Sequence, residues 1–502
     1  MRFPVPLRTA LTLACALPFA AAAIAAEPAA PAAPEARTIR PDPAAPSRVW
    51  DGWGVSLAWW GKVFGDRDDL ADAIFSTRTT KVAGGLVPGL GLNIARFNAG
   101  ACSPAEFDGR KMVVSKTILP FRQIDSFWLD PRSSDPKSAS WDWNADANQR
   151  AMLLKARDRG ANRFELFSNS PPWWMCVNDN PSGLADKHAE NLRPDQSENF
   201  ARYLAAIARR AKDHWGLSFT TVEPFNEPIS GYWTENGKQE GSYFSPKAQA
   251  AFLPVLRAAL DKQGLADTPI SASDETSYSQ GLKTWKSYDA ATKALVGQVN
   301  VHGYEGTKGP RRELHEAVVV QDKKPLWNTE YGDREGNGLQ MARCIHLDFR
   351  DLRPTAWSYW QAVDGGLNGK GGSGWGLFDA DMLAGTQLKV NSKFFVLAQY
   401  SRHIRPGMTV LQSADLSTLV AYSAADKRLA LVVLNDGPAR PFAFDLAAFQ
   451  VADQLVPSWL TSPKAEARYA PQPKLPVSES RFSTTIAADS IQSFELRDVV
   501  LK

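Results

Sequence analysis

The 502-residue sequence is poor in histidine and cysteine, and that scarcity narrows its chemistry first. Its six histidines are scattered at 188, 214, 302, 315, 346 and 403, with no His-x-His, His-Glu-x-x-His or Cys-x-x-Cys spacing. No metal site is expected, and no cofactor of any other kind. Of four cysteines, Cys15 falls in an N-terminal apolar stretch. Cys102, Cys176 and Cys344 allow at most one bridge with a thiol left over, which excludes a disulfide-stapled scaffold. An excess of one charge is also missing, since 57 Lys and Arg face 54 Asp and Glu, a net of +3. Without a basic stripe, a nucleic-acid partner has no electrostatic footprint. Beyond residue 26 no apolar run approaches membrane-spanning length.

The first 26 residues carry a targeting pattern. Arg2 and Arg8 precede an apolar run over 10–23, and Ala23-Ile24-Ala25-Ala26 offers small residues for cleavage. This predicts a signal peptide over 1–26 and a secreted or periplasmic protein, with an uncleaved anchor as the alternative. Residues 27–46 alternate Ala and Pro and read as a stiff linker.

From Val49 onward strand-like and helix-like segments alternate. Strands are expected over 53–59, 92–98, 163–168, 219–225, 269–273, 298–303, 325–330 and 355–360. The clearest helices are 197–215, opened by Ser197, and 245–263, closed by Gly264 and kinked at Pro254. Eight strand–helix units predict an α/β fold, a (β/α)8 TIM barrel over 47–400. An open doubly wound sheet is the rival, but Gly52-Trp53-Gly54 lacks the spacing of a phosphate loop. After residue 400 the pattern changes to short alternating segments at 418–423, 428–434, 441–446 and 490–496. These predict an antiparallel β-sandwich over 401–502, joined by a strand from 36–50.

In such a barrel the functional groups gather where the strands end. Val222-Glu223-Pro224-Phe225-Asn226-Glu227-Pro228 ends the fourth strand, and Trp327-Asn328-Thr329-Glu330-Tyr331 ends the seventh. Two glutamates at two strand ends suit glycoside hydrolysis, where one acid protonates the leaving oxygen and the other attacks or activates water. Glu223 competes with Glu227, because period two places 223, 225 and 227 on one face; its strand-end position favours Glu227. Arg96 is a partner for a buried carboxylate, either structural or orienting. His302 reads as a hydrogen-bond partner rather than a base. Asp274, Glu275 and Asp364 read as caps or rim groups. Sixteen of seventeen tryptophans lie at or before Trp375, many beside strand ends, where aromatic faces suit the apolar face of a sugar ring.

The set Gly52-Trp53-Gly54-Val55-Ser56-Leu57-Ala58-Trp59-Trp60, Ser168-Asn169-Ser170-Pro171-Pro172-Trp173-Trp174-Met175, Asn226-Glu227-Pro228, Asn300-Val301-His302-Gly303-Tyr304 and Ser490-Ile491-Gln492-Ser493-Phe494 resembles glycoside hydrolase family 30 of clan A. Its Ser-Leu-Ala-Trp-Trp opening is most similar to the endo-β-1,6-galactanase branch. The resemblance implies a barrel with a side-packed β-sandwich and retaining hydrolysis of β-1,6-galactan side chains of arabinogalactan. Other activities known in the family, on β-1,6-glucan, β-glucosides or glucuronoxylan, are the alternatives, with a non-catalytic sugar-binding protein further off. It implies Glu227 as acid/base and Glu330 as nucleophile. Asn226, Tyr304 and Trp360 would bind substrate, with Trp59, Trp60, Trp174, Asn98 and Asn169 as further contacts. Asn169 stands where some members carry Trp. The expected partner is a polysaccharide or oligosaccharide, bound by a monomer.

Overall fold

The computed structural model describes residues 35–502 apart from 46, 367 and 453. The expected signal peptide and part of the Ala/Pro stretch lie outside the described residues. Eight parallel strands close into a barrel in sequential order. They are β1 (Gly52–Ser56), β2 (Ile94–Asn98), β3 (Arg163–Phe167), β4 (Thr221–Glu223), β5 (Ile270–Glu275), β6 (Val296–His302), β7 (Leu326–Tyr331) and β8 (Ala356–Gln361). Pairing of Ala356 with Gly52 and Trp357 with Trp53 seals the ring, so the sheet is not open. Six of the eight strands are buried at every residue, as fits strands held between a packed interior and a helical layer.

The strand ends differ from the sequence pattern where the acids sit. The pattern extends β4 to Phe225, but the strand stops at Glu223. Pro224 has no amide hydrogen to continue the ladder, and Glu227 follows in a left-handed conformation at φ 50. Period two therefore fails past Glu223. Phe225 turns outward onto Phe244 and Phe252, at ring distances of 5.1 and 5.9 Å, while Glu227 lines the interior cleft. Likewise β1 stops at Ser56, and Trp60 opens a short helix, Trp60–Phe64.

The helix expected from 197 spans Ser197–Arg210 and continues as a wider turn, Ala211–Trp215, before Gly216 closes it at φ 64. Ser197 does not cap it: Gln196 holds the cap position after a tight turn over Pro194–Gln196. The second helix, Pro246–Lys262, is capped by Ser245, whose side chain accepts from the Ala248 amide. It runs unbroken through Pro254. Phe200 and Phe252 join the two helices at 5.1 Å.

The C-terminal strands form two layers. Thr409–Ser413, Thr418–Ser423, Arg428–Asn435, Ser490–Leu496, Gln454–Ser462 and Ala467–Val477 lie in one sheet. Arg440–Asp445 and Arg481–Ile486 lie in the other. Phe444 stacks on Phe482 at 4.3 Å and packs on Phe494 at 5.2 Å across the layers. The linker expected over 27–46 is not all linker. Arg37–Ile39 adds a parallel strand to the second sheet, and Pro41–Asp42 and Arg48–Val49 pair with Thr409–Ser413 in the first. Thr38 and Ile39 are strand formers, and the prolines sit where no ladder donor is needed. Helix Ser392–Ser401, buried from Lys393 onward, joins barrel to sandwich. Its Gln399 donates to Thr461 Oγ1 at 2.8 Å and accepts from Ser493 Oγ at 2.5 Å.

Candidate active site

Charge inside the barrel is organised around one guanidinium. Arg96 on β2 is fully buried. Its Nε donates to Glu165 Oε1 at 2.7 Å, its Nη2 to Asp274 Oδ2 at 2.5 Å and its Nη1 to Glu330 Oε2 at 2.9 Å. Burial opposes its charge, but the three carboxylates, Asp274 foremost, more than offset that and hold it protonated. Arg96 is thus both a structural ion-pair centre and a direct partner of Glu330. It does not bond Glu223, which takes Asn300 Nδ2 at 3.1 Å instead. Burial, then the Asp274 and Glu165 charges, push the Glu223 carboxyl well above the usual range. Glu223 lies fully buried on the barrel floor and is not among the residues lining the cleft above it.

Above this floor the two strand-end glutamates meet. A carboxylate oxygen of Glu227, one of Glu330 and a ring nitrogen of His302 all lie within 4.8 Å of one another. His302 Nδ1 is 3.0 Å from Glu227 Oε1 and 3.5 Å from Glu330 Oε1, and its Nε2 is 3.1 Å from Asp274 Oδ1. Burial disfavours its charge, but Glu330 and Asp274 outweigh burial and raise it well above its ordinary value. Asp274, first penalised by burial, is brought down to about 2 by Arg96 and His302. Tyr304 donates its hydroxyl to Glu330 Oε1 at 2.8 Å. Tyr232, 47% exposed, donates its hydroxyl to Glu227 Oε2. The Glu227 backbone is fixed on both sides, its amide donating to Asp274 O at 2.8 Å and its carbonyl accepting from Trp233 Nε1 at 2.8 Å. The spacing of Glu227, His302 and Glu330 would admit a cation, but the Arg96 guanidinium on Glu330 already supplies positive charge there.

The pair opens into a cleft of about 1050 Å³. Of the residues proposed from sequence, Glu227, Glu330, Tyr304, Trp360 and Trp59 line it. Trp59 and Trp360 meet edge to face at 5.1 Å. The others do not border the cleft. Trp60 is buried with its Nε1 donating to Ser56 O at 2.7 Å, and Trp174 is buried with its Nε1 on Trp128 O at 3.2 Å. Both are core residues: the chain turns into short helical segments at each Trp-Trp pair, and Trp173, whose Nε1 donates to Ser103 Oγ at 2.9 Å, is buried alongside Trp174. Asn98 is buried, its Nδ2 on Glu240 Oε2 at 3.2 Å and its Oδ1 accepting from the Asn169 amide at 3.2 Å. Asn169 and Asn226 are buried beside the strand ends, with both side-chain polar atoms of Asn169 and the Asn226 Oδ1 unpartnered. Asp364 lines the cleft, whereas Glu275 is an interior group accepting from Thr284 Oγ1 at 2.7 Å.

The cleft also takes residues that the sequence does not mark, among them Tyr232, Trp233, Trp375 and Arg122, whose guanidinium lies 4.2 Å over the Trp59 ring. They sit on irregular loops without periodicity. The Gly231-Tyr232-Trp233 step after Asn226-Glu227-Pro228 is the one signal that could have found two of them.

A parallel (β/α)8 barrel with two carboxylates converging at its strand ends, in an aromatic cleft, defines a glycoside hydrolase. Comparison with known proteins agrees. The family model for O-glycosyl hydrolase family 30 matches residues 36–291, and that for glycosyl hydrolase family 59 matches residues 189–402. The chain is 45% identical to an endo-β-1,6-galactanase of Hypocrea rufa over 93% of its own length and 95% of that protein's. It is 24% identical to an exo-β-1,6-galactobiohydrolase of Bifidobacterium longum, covering 68% of this chain and 28% of the relative. The chain belongs to glycoside hydrolase family 30. Among solved structures, a conserved exported protein from Bacteroides fragilis shares the fold with a TM-score of 0.73 at 20% identity, covering 92% of this chain and all of that one. A family 30 xylanase C from Talaromyces cellulolyticus does so with a TM-score of 0.68 at 19% identity and the same coverage.

Loss of the Tyr232 hydroxyl should register directly on Glu227. Tyr232→Phe is expected to lower kcat/KM by about threefold to tenfold, the value of one hydrogen bond. Steady-state kinetics on the polysaccharide substrate check it, and an unchanged kcat/KM contradicts it.

Proposed function

We propose that this chain is a secreted, monomeric hydrolase that cleaves β-1,6-galactosidic linkages in galactan side chains by double displacement. The observation carrying the mechanism is the separation of Glu227 and Glu330. Oxygens within 4.8 Å suit the retaining geometry, in which the carboxyl groups stand about 5–5.5 Å apart, and leave no room for the water of an inverting enzyme at about 6.5–9.5 Å. The substrate follows from the 45% identity to an endo-β-1,6-galactanase over nearly the full length of both chains.

Glu330 attacks the anomeric carbon. Arg96 and Tyr304 point at its two oxygens, and Arg96, which bonds Glu330 and not Glu227, favours negative charge on the attacking group. Glu227 donates its proton to the departing oxygen, then deprotonates the water that hydrolyses the glycosyl-enzyme. Trp59, Trp360 and Tyr304 supply apolar faces for the sugar rings. Asn226, buried beside Glu227 with a free Oδ1, meets a hydroxyl of the sugar being cleaved. The leader over residues 1–26 directs export.

Incubation with β-1,6-galactan, β-1,6-glucan and glucuronoxylan, with product analysis over time, tests the specificity. Short galacto-oligosaccharides from galactan alone are expected; their absence overturns the assignment. The pH profile follows from Glu330. Burial pushes its carboxyl up to about 7, with Glu227 adding and His302 and Arg96 opposing. It attacks as the carboxylate, so kcat/KM should fall by about tenfold for each pH unit below that point; a profile flat for about two units below it contradicts this.

A further inference from the structure

One buried carboxylate near the site takes no part in the steps above. Glu240 has no exposed surface and directly follows the stretch 232–239, which lines the cleft and contains neither helix nor regular strand. Its Oε2 accepts from Asn98 Nδ2 at 3.2 Å, and its Oε1 accepts from the Ala101 and Ile124 amides at 3.2 and 3.0 Å. Cys102 adds a thiol donor. Burial pushes the carboxyl up to about 7 while these donors hold it down, so this is an expensive group to keep in the interior.

What the clamp holds leads back to the acid pair. The next residue, Gly241, lies flush against the Trp233 indole, where a Cβ would overlap the ring. Its amide donates to Pro181 O at 2.9 Å. Trp233 donates Nε1–H to the Glu227 carbonyl, and the neighbouring Tyr232 donates its hydroxyl to the Glu227 carboxylate. The two rings meet edge to face at 4.5 Å. Glu227 itself sits in a left-handed conformation at φ 50, which persists only where the surroundings enforce it.

We propose that Glu240 is a positioning residue for the proton donor: by tying the end of the 232–240 loop to β2, it holds Trp233 and Tyr232 against Glu227 and fixes the aim of the Glu227 carboxyl at the departing oxygen. This rests on the assignment of Glu227 as that donor. Loss of the clamp harms proton delivery and leaves the attack by Glu330 intact.

Leaving-group dependence separates these effects. Glu240→Gln keeps the shape but turns an amide NH₂ toward groups that are themselves donors. It is compared with the wild type in kcat/KM on a β-1,6-galacto-oligosaccharide and on the 2,4-dinitrophenyl glycoside of β-1,6-galactobiose. The dinitrophenolate departs without protonation, so the second substrate is blind to Glu227 in the steps that kcat/KM covers. The oligosaccharide value is expected to fall about ten- to hundredfold, the scale of a misplaced group, and the dinitrophenyl value by less than about twofold. Trp233→Phe keeps a ring but lacks the N–H to Glu227; it should show the same split and serves if Glu240→Gln gives no folded protein. Equal losses on both substrates, or no loss on either, overturn the proposal. Failure of the parent reading looks different. A wild type that leaves β-1,6-galacto-oligosaccharides intact overturns the substrate, and the paired measurement is then made on the glycoside it does cleave. A Glu227→Gln variant with full activity on the natural substrate overturns the donor and the proposal together.

Discussion

Glu330→Gln is expected to lose turnover on galactan by on the order of 10⁴-fold or more while still folding and binding sugar. The substitution keeps the side-chain volume but removes the carboxylate proposed as the nucleophile. The amide oxygen can still accept from Arg96 or from Tyr304, which stand on opposite oxygens of the native carboxylate, so the site loses one donor contact rather than its shape. Initial rates, calorimetric binding of a β-1,6-galacto-oligosaccharide and the thermal midpoint, measured on one preparation, separate catalysis from folding. A residual rate within about tenfold of the wild type would place the nucleophile elsewhere. The truncation Glu330→Ala adds a second diagnostic. Azide entering the space left by the carboxylate should restore cleavage and yield an α-linked galactosyl azide, because attack comes from the face Glu330 occupies.

Arg96→Met is expected to give the largest loss of stability in the barrel. Arg96 bonds Glu165, Asp274 and Glu330 with no exposed surface, and its removal leaves buried carboxylates without their cation. Breaking one buried pair costs about 3–5 kcal/mol, and here a single guanidinium serves three acids. Arg96→Lys should recover little, because a single ammonium cannot reproduce three donors held in one plane. Denaturant midpoints of the three proteins check this, and a midpoint for Arg96→Met equal to the wild type contradicts it. Both variants should also be inactive, since Arg96 ties Glu330 to β2 across the barrel interior.

The barrel was legible because its strands are apolar β-formers separated by runs of helical spacing, and that pattern survives without any partner in view. Glu227 and Glu330 were legible for a related reason: a carboxylate at the end of a buried strand is out of place unless chemistry needs it. What the sequence could not carry was direction in irregular backbone. The rings of Trp60 and Trp174 enter the core because short helical turns begin where the strand pattern would alternate. Phe225 leaves the barrel face because β4 ends two residues earlier. Tyr232, Trp233 and Arg122 reach the cleft from loops fixed by side-chain hydrogen bonds rather than by a ladder, so no periodicity marks them. His302 reads in isolation as a partner of one carboxylate, yet it stands within 3.5 Å of both, a closeness only the barrel's closure produces. The strands at Arg37–Ile39, Pro41–Asp42 and Arg48–Val49 lie where a strand joining the sandwich is expected over 36–50, among residues that also read as an Ala/Pro linker.

The stereochemistry of the first product tests the account most directly. Proton NMR of a β-1,6-galactan digest, recorded within the first minutes before mutarotation, distinguishes the anomers of the newly formed reducing end. Two carboxylates this close, acting through a glycosyl-enzyme, must release the β-anomer first, with the α-anomer growing only as the sugar equilibrates. Initial release of the α-anomer would mean a single inverting displacement, and the paired roles of Glu227 and Glu330 would be wrong.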